Sequence, residues 1–142
     1  MAKKKKYTLE LDDDLEFDLV GICSHHSDYR LAWGINQELG LQLSKCDEPY
    51  CVTDRKGTVV STHSMYEYTN ESDRVVYYLI KNKHQGKYLI PEKPSIDFFL
   101  FLCDNWAVEI SELMAGLKVV SSVLAVYPFD PDELKSAENI VF

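Results

Sequence analysis

A chain of 142 residues, 46% hydrophobic and 27% charged, has the size and composition of one folded domain. Its net charge is −8; the four lysines at positions 3–6 supply +4, which leaves −12 on the rest and disfavours general binding to nucleic acid. No apolar run approaches the roughly 18–20 residues of a membrane span, so no membrane partner is expected.

In chain order, residues 1–6 read as a disordered basic arm. Tyr7, Leu9 and Leu11 alternate with Thr8 and Glu10 as a short half-buried strand. Asp12-Asp13-Asp14 ends it as a solvated turn, without the glycine and ligand alternation of a hard-cation loop. Acids follow the basic start where an export signal would be apolar. The four cysteines are therefore expected as thiols in a reducing, cytoplasmic setting.

Phe17–Cys23, apolar but for Asp18, predicts a core strand. Ser24 or Ser27 suits the cap of a following helix, on which Leu31, Ala32, Ile35 and Leu39 share one face. Gly40 stands where a left-handed C-terminal residue is wanted. Leu41 and Leu43 then alternate with Gln42 and Ser44 as a strand. Residues 46–58 read as loop, and 59–68 and 74–82 as strands joined by the polar turn 69–73, with a second turn at 82–87.

After Cys103, Asp104-Asn105 predicts the cap of a helix reaching about residue 118. Its apolar face is Ala107, Ile110, Leu113, Met114 and Leu117. Residues 123–127 read as a strand, or as the continuation of that helix. Asp130-Pro131-Asp132-Glu133 is a capping box with proline at the first helical position, which predicts a short terminal helix. Two strand–helix–strand units around a hairpin predict a single α+β domain. Its architecture is a two-layer sandwich, a mainly antiparallel sheet with helices on one face, ferredoxin-like or ACT-like with extra strands.

The stretch Ile90-Pro91-Glu92-Lys93-Pro94-Ser95-Ile96-Asp97-Phe98 is the chain's most distinctive. Pro91 and Pro94 fix their φ angles and remove two backbone donors, so the segment is a stiff turned or extended entry. It feeds an apolar run to Cys103 that reads as a strand covered on both faces. Ile90-Pro91-Glu92, three free positions, then Ile96-Asp97-Phe98 resembles the signature of the IPExxxVDY family of small bacterial proteins. Ile96 stands for Val and Phe98 for Tyr. The tail from Leu134 to Phe142 is similar to that family's C-terminus. The resemblance implies a Bacteroidetes-type cytoplasmic protein and brings no catalytic residues with it.

Several side chains have reactive chemistry. Cys23 with His25 and His26, at a strand-to-helix junction, has the parts of an activated thiol and base; the alternative is a buried strand end and a solvated turn. Cys46 and Cys51 are spaced at the edge of a zinc pair, with no second pair to complete it. Glu92 and Asp97 are either an acid–base pair or struts that lock the loop around Pro91. Lys81, Lys83, His84, Lys87 and Lys93 form a basic island near Tyr77, Tyr78 and Tyr88, the composition of a single-strand binding face or of a solvated hairpin tip. No phosphate loop, nucleophile elbow or HExxH pattern is present.

These readings predict a non-enzymatic cytoplasmic module that binds a protein partner, a second copy of itself as a homodimer, or a small ligand. No cofactor or metal is expected. The alternative is a small enzyme using Cys23/His25/His26 or Glu92/Asp97.

Overall fold

The computed structural model describes residues 17–142. The basic arm, the strand at 7–11 and the acidic turn at 12–14 lie outside the described residues. The elements are β1 (Phe17–Cys23), α1 (Asp28–Leu39), β2 (Ser44–Lys45), β3 (Tyr50–Thr53), β4 (Val59–His63), β5 (Met65–Thr69), β6 (Val76–Lys81), β7 (Lys83–His84), β8 (Lys87–Tyr88), β9 (Phe98–Cys103), α2 (Ile110–Val119) and β10 (Ala125–Phe129). Two 3₁₀ turns, Pro131–Glu133 and Lys135–Asn139, close the chain.

Six strands form one sheet in the order β10-β1-β9-β6-β5-β2, and every pairing in it is antiparallel. The run β10-β1-β9-β6 has the strand order of a βαββαβ ferredoxin-like core. β1 and β6 are parallel to each other with β9 between them, and β9 and β10 are parallel with β1 between them. β5 and β2 extend the β6 side, while β3–β4 and β7–β8 form separate two-stranded ribbons.

Alternation along β9 divides the core. Phe98, Leu100 and Leu102 face one side, where they pack with Val20, Ile22 and Leu79 beneath Leu31 and Ile35 of α1 and Leu113 and Leu117 of α2. Phe99 and Phe101 face the other with Leu19 and Ile80. Among the described residues no α-helix covers that second face. Leu89, Ile90 and Ile96 from the proline segment do so, with Leu134, Ala137 and Ile140 from the C-terminal segment. β9 is thus buried on both sides, and the helices lie on one face only.

Close packing at Gly21 marks the second face. A Cβ there would meet Phe129 Cε2 at 2.5 Å and Ile96 Cγ2 at 3.0 Å, so only glycine lets those side chains cross β1.

Local chemistry explains where elements begin and end. Ser27 Oγ accepts from Arg30 N–H to cap α1, and Gly40 ends it at φ +70°. The predicted strand at 41–44 is reduced to Ser44–Lys45, because Asn36 holds Leu43 through both its N–H (2.9 Å) and its carbonyl (3.0 Å). The expected loop at 46–58 contains β3, which pairs with β4. The single strand expected at 59–68 divides at Ser64 into β4 and β5, which belong to different sheets. Asn105 caps a turn that precedes α2: its Oδ1 accepts from Ala107 and Val108, and its amide donates to Asp18 Oδ2 and the Val108 carbonyl. The helix therefore starts at Ile110, later than expected. It ends at Val119, so Ala125–Phe129 is a strand. Asp130 accepts from Asp132 N–H, but the terminal helix is 3₁₀ and not α.

Candidate functional site: the proline corner and its cavity

The corner is built from two consecutive turns. Lys93 N–H donates to Ile90 O (3.1 Å), and Ile96 N–H donates to Lys93 O (3.2 Å). Pro91 and Pro94 each take the second position of a four-residue turn, where a fixed φ is wanted and no N–H is needed. The three-residue spacing of the prolines follows from that geometry.

Asn82, fully buried between β6 and β7, organises this corner. Its Nδ2 donates to Lys93 O (3.0 Å) and Ile96 O (2.8 Å), and its Oδ1 accepts from Ile90 N–H (2.9 Å). Its backbone N–H donates to Asp97 O (2.9 Å), and its carbonyl accepts from Leu89 N–H (2.7 Å). All five bonds go to residues 89–97.

The two acids of the corner point outward to other parts of the chain. Glu92 accepts from both Ser136 N–H and Ser136 Oγ–H, each at 2.7 Å, and so fastens the C-terminal segment. Burial alone would raise the Glu92 carboxyl, but the Ser136 bonds outweigh it and hold it below its ordinary 4.5. Asp97 Oδ2 accepts from Ser24 N–H at 2.8 Å, and Asp97 N–H donates to Ile22 O, which ties the start of β9 to the end of β1.

Cys23 lies beside this junction, with Sγ 3.6 Å from the Ser95 carbonyl. Burial first, then the charge of Asp97, raises its pKa, the opposite of an activated thiol. His25 and His26 are exposed. Ser24 Oγ accepts from His26 N–H, so the turn is organised by serine and not by an imidazole. Cys46 bonds Glu67 Oε1 at 3.4 Å, whereas Cys51 lies against the Pro49 carbonyl. Among the described residues, no three His, Cys, Asp or Glu side chains gather as a metal site.

A cavity of about 380 Å³ opens beside the corner, between β3–β4, β7–β8 and the C-terminal segment. Tyr50, Val52, Tyr88, Leu89, Pro91 and Ile140 give it apolar walls. Ser61, Ser136 and Lys87 supply its polar groups, and no carboxylate lines it among the described residues. Gln85 and Gly86 both take positive φ in the two-residue turn between β7 and β8, which brings Lys87 and Tyr88 back over the cavity. Lys83 Nζ sits 5.7 Å from the Tyr88 ring centre.

Behind Ser61 is His63, fully buried, with Nε2 2.9 Å from Ser61 Oγ. Its Nδ1 has no hydrogen-bond partner. Burial lowers its pKa from 6.5, the Lys81 carbonyl beside the ring pulls the other way, and His84 adds to the lowering. His63 is therefore a neutral imidazole at neutral pH.

The structure thus brings Pro91, Glu92 and Asp97 together at one corner, with Cys23 at its margin, and leaves His25 and His26 apart in solvent. Asn82, Ser61 and Ser136 escaped the sequence reading, and His63, which with His25, His26 or His84 could have completed a metal site beside Cys46 and Cys51, is instead buried behind Ser61. Ser61 and His63 alternate on one strand face, which was a usable signal; Asn82 and Ser136 carry no local pattern. Comparison with protein-family models and with curated proteins returned no match to this chain.

Proposed function

We propose that this chain is a non-enzymatic binding module of the IPExxxVDY type, acting in the cytoplasm, and that its cavity beside the proline corner holds a small ligand. One observation carries the reading: two of the signature residues, Pro91 and Glu92, shape the cavity. Pro91 lines it, and Glu92 fixes Ser136, which also lines it. Concave, mostly apolar sites with a few polar groups are the usual form of small-molecule sites. The four free cysteines fit a reducing compartment, and among the described residues no helix is long and apolar enough to cross a membrane. The enzyme alternative gains no support from a thiol whose pKa is raised or from acids engaged by backbone N–H groups.

The test is a screen of small neutral and charged fragments by amide NMR. Binding that shifts Ser61, Tyr88 and Ile140, and that Val52→Trp abolishes by filling the space, supports the reading. No fragment shifting these amides refutes it.

Self-association is a second reading, favoured by the sheet edge at β10. Leu124 and Tyr127 are exposed there, and nothing pairs with the outer side of that strand among the described residues. Pro128 interrupts the donors of this edge, so pairing would rest on side chains more than on a continued ladder. Light scattering at micromolar concentration distinguishes dimer from monomer.

A further inference from the structure

The chemistry around the cavity points to the charge of what it holds. We propose that the cavity selects a small amphipathic anion, a carboxylate on an aromatic or short aliphatic body, with Lys87 and the Ser61 hydroxyl receiving the anionic end. This inference rests on the small-ligand reading above and deepens it.

The first support is charge. The chain has 23 acids against 15 lysines and arginines, yet residues 81–91 contain Lys81, Lys83 and Lys87 and no acid. That window supplies the β7–β8 side of the cavity. The opposite ribbon, β3–β4, carries Asp54 against Arg55 and Lys56, and Asp54 Oδ1 is occupied by Lys56 N–H and Thr58 N–H. Glu92, whose carboxylate bonds the lining Ser136, is taken up by the Ser136 N–H and Oγ–H, so Lys87 on the facing ribbon is the charge that an anion meets inside the cavity.

The second support is the direction of the hydroxyl protons. Two serines line the cavity. Ser136 Oγ–H is committed to Glu92. Ser61 differs, because its partner is the buried neutral ring of His63. With the ring proton on Nδ1, toward the Lys81 carbonyl, Ser61 O–H donates to Nε2; with it on Nε2, the ring donates to Ser61 Oγ. An anion seated at Lys87 needs a donor from Ser61 and so selects the second arrangement. Ser61 then accepts from His63, and its own O–H is free to donate into the cavity. Lys87 and Ser61 are thus donors on opposing ribbons, while the walls between them are aromatic and aliphatic.

The experiment uses a matched pair, 3-phenylpropionate and 3-phenylpropanamide, which differ in charge and scarcely in shape. Amide NMR titration of the full chain should show the carboxylate shifting Ser61, Tyr88 and Ile140 with at least about tenfold tighter binding than the amide, as a charge-assisted bond predicts. Lys87→Gln, a change at an exposed position that leaves the fold intact, should bring the carboxylate to the level of the amide and leave the amide unchanged. Ser61→Ala should weaken the carboxylate further. Equal binding of the two probes, or a preference that survives Lys87→Gln, overturns the anion assignment and leaves the cavity reading standing. An unchanged affinity in Ser61→Ala removes Ser61 from the site. If neither probe binds, the proposal falls, and the fragment screen shows whether the cavity reading falls with it.

Discussion

Glu92 and Ser136, 44 positions apart, are joined by two bonds of 2.7 Å from one carboxylate. This clamp connects the corner to a C-terminal segment that has no regular secondary structure beyond 3₁₀ turns, yet places Leu134, Ala137 and Ile140 on the second face of the sheet. Glu92→Ala should cost roughly 1–2 kcal/mol, since it removes two charged bonds at a partly solvated site. Hydrogen exchange should then accelerate in residues 134–141 well before it does in β9. Equal acceleration in both would place the clamp within the global unfolding unit.

Asn82 has a larger expected effect. Asn82→Ala strands the Ile90 N–H and the Ile96 carbonyl beside a buried position, each of which costs about 1–3 kcal/mol when unpaired, while the Lys93 carbonyl loses one of its two donors and keeps Ile96 N–H. A loss of at least about 2 kcal/mol by urea denaturation is expected. Asn82→Asp should be almost as damaging, because a carboxylate can accept from Ile90 but cannot donate to either carbonyl.

These two residues also mark how far the sequence could be read. β9 was legible because Phe98-Phe99-Leu100-Phe101-Leu102 has no polar face at all, which is the pattern of a strand with cover on both sides. α1 was legible from its apolar spacing, its Ser27 cap and Gly40. β3 was not: only Tyr50 and Val52 alternate, over four residues, next to Pro49 and a polar turn. The break at Ser64 lacks glycine or proline, and only the departure of β4 into a second ribbon explains it. Asn82 reads as a turn residue, since its partners lie 7–15 positions ahead and local periodicity carries no trace of them. The two acids of the corner could be named from the sequence, but their partners, Ser136 and Ser24, could not.

Gly21 tests the packing of the second face. Gly21→Ala places a methyl where Phe129 and Ile96 already cross, and overpacking of this kind costs about 1–3 kcal/mol. Phe129→Leu should recover part of that loss in the double variant and be mildly destabilising alone. Additive losses, measured by the same denaturation series, would mean that the two side chains do not compete for the space.

The thiols should rank in an order set by their surroundings. Burial and the charge of Asp104 push Cys103 to about 12, and burial with the Glu67 bond pushes Cys46 to about 11, against 9.0 for a free group; Cys23 is raised in the same direction. Only the thiolate reacts, and each unit of increase lowers its fraction about tenfold. Iodoacetamide at pH 7.5, followed by peptide mass analysis, should therefore label exposed Cys51 first and Cys103 last. Cys23 should react more slowly than free cysteine; a faster rate would restore the nucleophile reading of Cys23, His25 and His26.

Acid should weaken the fold in two separable stages. In the first, the unfolded chain protonates His63 as pH falls through 6.5, while the buried folded ring, its pKa lowered, does not. Folding therefore loses stability from about pH 6.5 down to the folded pKa. His63→Gln removes that proton uptake and keeps a polar partner for Ser61. It should be about 1–2 kcal/mol less stable than wild type at pH 7.5, and the gap should narrow as pH falls below 6.5. In the second stage, the contribution of Glu92 is complete above its unfolded value of 4.5 and is lost as pH drops through its lowered folded pKa. The gap between wild type and Glu92→Gln should hold constant through the first stage and close only in the second. Urea midpoints at half-unit steps from pH 7.5 to 3.0 would separate the two; a His63→Gln gap that stays constant across pH 6.5 to 5 would mean that the ring charges freely inside the fold.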